Sequence, residues 1–99
     1  MLYAIFARDI PDSVAKRDET RERHVAYLKA LVDQGRVVLA GPLPAIDSPE
    51  PGPAGMYGSL LVIEFESLDE AHEWVANDPY QTDGVFEDVI IKPLIQTVP

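Results

Sequence analysis

An α+β fold in the order βαββαβ is what this 99-residue sequence predicts, and three observations carry the prediction. Four short apolar runs, each stopped by charge, glycine or proline, read as strands. Two longer stretches between them place apolar residues every third or fourth position, the spacing of one helix face. A small antiparallel sheet with both helices on one face is the economical way to close that order, the ferredoxin-like split βαβ unit.

Leu2 to Ala7 is an unbroken apolar run rich in aromatic and branched side chains, stopped by Arg8-Asp9 and then Pro11, and reads as a buried first strand. Asp12 and Ser13 are placed to cap the first helix, since a short side-chain oxygen accepts from the free amides of a first helical turn. That helix runs to about Asp33, with Gly35 just past its end as the stop. Arg36 to Ala40 is the second strand, ended by Gly41-Pro42. Residues 43 to 56 hold Pro44, Pro49, Pro51 and Pro53 with Gly52 and Gly55 between them, which predicts a long, partly extended connection outside sheet and helix. Tyr57 to Phe65 is the third strand. Ser67 caps a second helix from Leu68 to about Asn77, with Asp69, Glu70 and Glu73 near its positive end and Leu68, Ala71, Trp74 and Val75 as its inward stripe. Pro79 restarts the chain as a short turn ending at Gly84, and Val85 to Lys92 is the last strand, frayed at Pro93.

These strands carry apolar residues on both faces, but two helices cover only one. A second copy of the sheet would cover the other, so a homodimer through the open sheet face is expected, and a chain this short gains stability from it. A formal net charge of −9 repels phosphate backbones and anionic headgroups, which argues against nucleic acid and membrane as partners. With no cysteine there is no thiol chemistry and no disulfide framework. The first apolar run is too short for a signal segment, so a single domain over residues 1–99 in the cytoplasm is expected.

The topology also fixes which ends meet. The start of helix one, the end of helix two, the end of strand two and the start of strand three share one end of the fold, bringing together Arg17, Arg21, His24, Asp78, Gly41, Pro42 and the proline-rich loop. His24, one of two histidines, stands where the first helix changes from charged to aliphatic. A carboxylate at Asp78 would fix its tautomer and leave the other ring nitrogen to exchange protons with a substrate. The competing reading is a satisfied histidine at a core edge, with Asp78 capping the turn at Pro79. Arg17 and Arg21, at an unfavourable i, i+4 spacing, suit an anion clamp unless Asp18 and Glu22 neutralise them on a solvated face. Tyr80 either donates its hydroxyl into the cleft or packs its ring on a helix end, and the loop is a candidate lid. His72 reads as a packing residue on the flank of helix two. Two separated histidines make no metal site, the glycines at 52, 55 and 58 precede no helix and so make no phosphate loop, and Ser13, Ser48, Ser59 and Ser67 lack a nucleophile elbow.

Taken in order, Met1-Leu2-Tyr3, Arg21-Glu22-Arg23-His24, Gly35-Arg36, Ala40-Gly41-Pro42, Phe65-Glu66-Ser67 and Asn77-Asp78-Pro79-Tyr80 resemble the YciI-like (YCII-related) family over essentially the whole chain. The resemblance implies a dimeric α+β barrel, related in architecture to muconolactone isomerases and small monooxygenases, and an active-site dyad that falls on His24 and Asp78. It also implies a small cofactor-free protein, in a family where one known activity is dehydrochlorination of a chlorinated hydroxyquinol. Residues and resemblance together give the expectation of an enzyme without cofactor or metal. In it His24, oriented by Asp78, moves protons in an isomerisation or elimination on a small anionic or phenolic substrate held by Arg17, Arg21, Gly41, Pro42 and Tyr80. The alternatives are a non-catalytic ligand-binding or regulatory dimer and, by fold analogy alone, a cofactor-free oxygenase.

Overall fold

The computed structural model describes residues 1–99. Its elements are β1 (Leu2–Asp9), α1 (Val14–Asp33), β2 (Val37–Pro44), β3 (Met56–Glu64), α2 (Leu68–Ala76), a short α3 (Pro79–Thr82) and β4 (Phe86–Leu94), with one 3-10 turn at Gly52–Ala54 in the loop before β3. All strand pairings are antiparallel, in the order β2-β3-β1-β4, which is the ferredoxin-like α+β arrangement. No helix is long and apolar enough to cross a membrane.

Burial along β1 alternates strictly although its sequence does not. Tyr3, Ile5, Ala7 and Asp9 face the helices, while Leu2, Ala4, Phe6 and Arg8 lie on the other side. The helix-side core joins Tyr3, Ile5, Leu61, Ile63, Phe65 and Ile91 to Leu31 of α1 and to Ala71 and Val75 of α2. Burying each large apolar side chain there stabilises the fold by about 1.5–3 kcal/mol. Tyr27 fastens the two helices together, stacking on Trp74 at 4.8 Å and donating its hydroxyl to the Trp74 carbonyl at 2.7 Å. The opposite sheet face leaves Phe6, Leu39, Tyr57 and Ile90 exposed, with Phe6 and Tyr57 in aromatic contact.

Several boundaries differ from the sequence expectation, each for a physical reason. β1 continues past Ala7 to Asp9 because an arginine of α1 pairs with that buried carboxylate. β2 does not stop at Gly41-Pro42 but runs to Pro44. It is an edge strand, where a missing amide donor is tolerated, so the loop is shorter than 43 to 56. β4 is also an edge and carries Pro93 opposite Tyr3 rather than fraying there. Ser13 holds the N-cap position of α1 without capping it, and Asp12 turns the chain at φ 56°. The cap of α2 is as expected, Ser67 accepting from the Glu70 amide at 3.1 Å. Leu68 is exposed rather than part of the inward stripe. Gly35 takes the left-handed conformation that ends α1. The turn expected after Asp78 is the helix α3, with Pro79 at its first position.

Candidate active site

A cleft of about 470 Å³ opens between α1 and the helix side of β2 and β3. Arg17, Arg21, His24 and Leu28 supply one wall. Ala40, Gly41 and Pro42 of β2 with Ser59 and Leu61 of β3 supply the floor, Tyr80 of α3 closes one end, and Pro51, Gly52 and Gly55 of the loop form the rim. Gly55 sits at φ 69° against α1, where an added Cβ would lie 2.6 Å from Val14 Cγ2, so the loop is seated tightly on the helix.

His24 and Asp78 meet. The carboxylate of Asp78, 1% exposed, lies behind the ring, and His24 Nδ1–H donates to Asp78 Oδ1 at 2.7 Å. An ionised carboxylate only accepts, so this bond assigns the neutral ring its proton on Nδ1 and leaves Nε2 with a lone pair. The same Oδ1 accepts from the Tyr80 amide at 3.0 Å, capping α3. Both contacts weighed for Asp78 from the sequence, with His24 and with the turn at Pro79, are therefore made by one atom.

Tyr80 contributes its ring face. It stacks on His24 with centroids 3.9 Å apart and planes 10° from parallel, and its edge packs on Phe86. The Arg17 guanidinium lies 5.0 Å from the centroid of the same tyrosine ring. Burial pushes the Tyr80 phenol up, against the opposing pull of the Arg17 and Arg21 charges, so it remains protonated at neutral pH.

The two arginines have different surroundings. Arg17 is buried and forked onto Asp9, Nε to Oδ2 at 2.5 Å and Nη2 to Oδ1 at 2.9 Å, and Ser13 Oγ completes that carboxylate's shell at 2.5 Å. Its neutralising partner is thus a β1 residue, not Asp18 or Glu22. Nη2 also donates to Ser59 Oγ at 2.9 Å. Arg21 is exposed on the cleft wall beside Asp18 and is absent from the chain's ion pairs.

Outside the cleft, Asp83 ties α3 to α1. It accepts from Thr20 Oγ1 at 2.9 Å and pairs with Arg23, while Lys16 Nζ donates to its backbone carbonyl. The Arg23 hydrogen bond, then that of Thr20, holds the Asp83 carboxyl below its usual range. His72 is exposed on α2, away from the cleft. Sequence reasoning missed Asp9, Thr20 and Ser59, of which only Thr20 had a visible signal, its place one turn before His24 on the buried face of α1.

A family model described as the YCII-related domain matches residues 1–95. Protein YciI of Escherichia coli O6:H1 is 50% identical over 93 residues, covering 94% of this chain and 95% of the relative. An uncharacterized protein of Haemophilus influenzae is 50% identical with the same coverage. Among solved structures, the 5-chloro-2-hydroxyhydroquinone dehydrochlorinase of Burkholderia phenoliruptrix, in complex with 2,5-dihydroxybenzoquinone, superimposes with a TM-score of 0.85 at 33% identity, over 96% of this chain and 94% of that one. Protein Atu4242 of Agrobacterium tumefaciens, at 15% identity and a TM-score of 0.51, covering 100% of this chain and 98% of that one, shares the fold alone.

Proposed function

The chain belongs to the YCII-related family, and on that premise we propose that it is a small cofactor-independent enzyme in which His24, oriented by Asp78, transfers protons on an anionic or phenolic substrate. The single observation that carries this reading is the 2.7 Å bond from His24 Nδ1 to Asp78 Oδ1 behind a ring that lines the cleft. Nε2 removes a proton from a C–H or O–H next to a carbonyl or aromatic ring. The electron pair left behind moves through the conjugated system, and either a leaving group departs with it or the proton returns at a second atom. The first outcome is an elimination of the dehydrochlorinase kind and the second an isomerisation. Proton transfer by a well-placed general base such as His24 contributes about 10²–10⁴-fold, and Asp78 favours the imidazolium that forms as His24 takes the proton.

The similar dehydrochlorinase acts on a phenolic compound and was solved with a dihydroxyquinone, which supports the substrate class. Arg21 supplies exposed positive charge, and Gly41 and Pro42 give a close-approach floor. The reading includes a homodimer paired through the sheet face that exposes Phe6, Leu39, Tyr57 and Ile90, working in the cytoplasm, with residues 1–99 as one YCII-like domain. A non-catalytic ligand-binding dimer is the second reading. It is favoured by the second duty of Asp78, whose capping of α3 would need that carboxylate without any chemistry.

His24→Ala, assayed on a panel of lactones and halogenated phenols, separates them. Loss of turnover with retained ligand binding supports the enzyme. Unchanged turnover of any substrate that the wild type converts removes His24 from the mechanism.

A further inference from the structure

Ser59 lies on the central strand β3, 4% exposed, with its hydroxyl on the floor of the cleft. We propose that Ser59 binds an anionic oxygen of the ligand by donating its hydroxyl proton. This inference deepens the proposed function and rests on the cleft being its substrate pocket.

The argument is one of hydrogen-bond direction. A serine hydroxyl has one proton to give and lone pairs to accept with. Arg17 Nη2 is a donor only, so at 2.9 Å it fixes the Ser59 oxygen as acceptor. The hydroxyl proton is then left over, and no hydrogen bond within the chain uses it. Because Ser59 is buried except toward the cleft, a bound molecule is what can receive that proton.

The donor is also a strengthened one. A hydroxyl that accepts from a guanidinium is polarised toward giving up its own hydrogen, and in a partly enclosed site such chains of bonds reinforce each other. Arg17 is itself immobilised by its fork onto Asp9, so the oxygen of Ser59 is held in place by two successive fixed contacts. A buried arginine whose charge is already matched by Asp9 passes its influence through a neutral hydroxyl. A neutral donor backed by a cation suits a phenolate or enolate oxygen. The Arg17 guanidinium lies 5.0 Å from the Tyr80 centroid, and the His24 ring 3.9 Å from it. Arg17, which fixes Ser59, and His24 therefore both approach the Tyr80 ring, and Ser59 and His24 line the same cleft.

The test uses 2,5-dihydroxybenzoquinone, a vinylogous diacid ionised at neutral pH, against its neutral dimethyl ether, each titrated by calorimetry into wild-type protein, Ser59→Ala and Ser59→Thr. Ser59→Ala is expected to weaken binding of the anion about ten- to hundred-fold, the loss for a hydrogen bond to a charged group. The ether is expected to change by less than about three-fold, and Ser59→Thr, which keeps the hydroxyl, to recover most of the anion's affinity. Should Ser59→Ala not fold, Ser59→Cys, similar in size but a weak donor, reads the same loss. Equal loss for anion and ether, or no loss for either, overturns the role of Ser59 and leaves the pocket reading standing. Wild-type protein that fails to bind the anion overturns both.

Discussion

Replacing Arg17 by Met tests whether this side chain acts first as a strut of the fold. The substitution keeps a long, flexible apolar stem and removes the guanidinium from a pair in which Arg17 is 8% and Asp9 6% exposed. Asp9 then keeps one side-chain partner, the Ser13 hydroxyl, for a carboxylate that Arg17 had held through two bonds. Removing one member of a buried ion pair costs about 3–5 kcal/mol, because the other charge is left uncompensated away from water. At about 4–8 °C per kcal/mol for a domain of this size, Tm should fall by about 12–40 °C. Urea unfolding followed by circular dichroism, at one fixed protein concentration, measures the loss directly. The double variant Asp9→Leu with Arg17→Met should recover most of it, since apolar replacement of both members is often neutral or better, and the cycle gives the coupling. A single-variant loss below about 1 kcal/mol, the range of exposed pairs, would refute the strut. If ligand affinity fell while stability held, Arg17 would be a direct clamp instead.

The remaining predictions concern the dyad, acid stability and assembly. Asp78→Asn should lower kcat by about 10²–10⁴-fold on any substrate the wild type turns over. Its KM and Tm should stay close to wild type, because asparagine still caps the Tyr80 amide; an unchanged kcat would show that Asp78 serves α3 alone. Asp83 is held below its usual range chiefly by Arg23 and Thr20, so its stabilisation is whole above the ordinary carboxylate range and is lost as pH falls through its own lowered value. Asp83→Asn should therefore flatten the stability curve below about pH 4, and superimposable wild-type and variant curves there would contradict the assignment. Phe6→Asp, placing charge on the open sheet face, should shift sedimentation from dimer to monomer without unfolding the chain; a variant that sediments as the wild type does excludes that face.

How much of this was legible in the sequence depended on how local the deciding interaction is. The element order, the Ser67 cap and the Gly35 stop come from neighbours in the chain, and all are present. His24 and Asp78 are 54 residues apart but sit at predictable helix positions, so topology brought them together on paper as it does in space. Asp9 was illegible for the opposite reason. A charged residue after an apolar run reads as the end of a strand, and only Arg17, from another element, makes its burial affordable. Ser59 was hidden the same way, a small polar residue within an apolar strand whose meaning comes from the guanidinium beside it. For Tyr80 the sequence offered a hydroxyl donor or a packing ring, and the ring face against His24 is what the fold supplies. The extent of β2 was misjudged because prolines were weighed without knowing that the strand lies at an edge.

Both outer strands carry proline, Pro42 and Pro44 on one side of the sheet and Pro93 on the other. An approaching strand from another molecule finds a ring there instead of an amide donor, so lateral growth into a continuous ribbon is interrupted at each margin. The chain thereby combines a greasy exposed sheet with borders that resist zippering, so any second copy that meets it finds a face to stack on and no edge to extend.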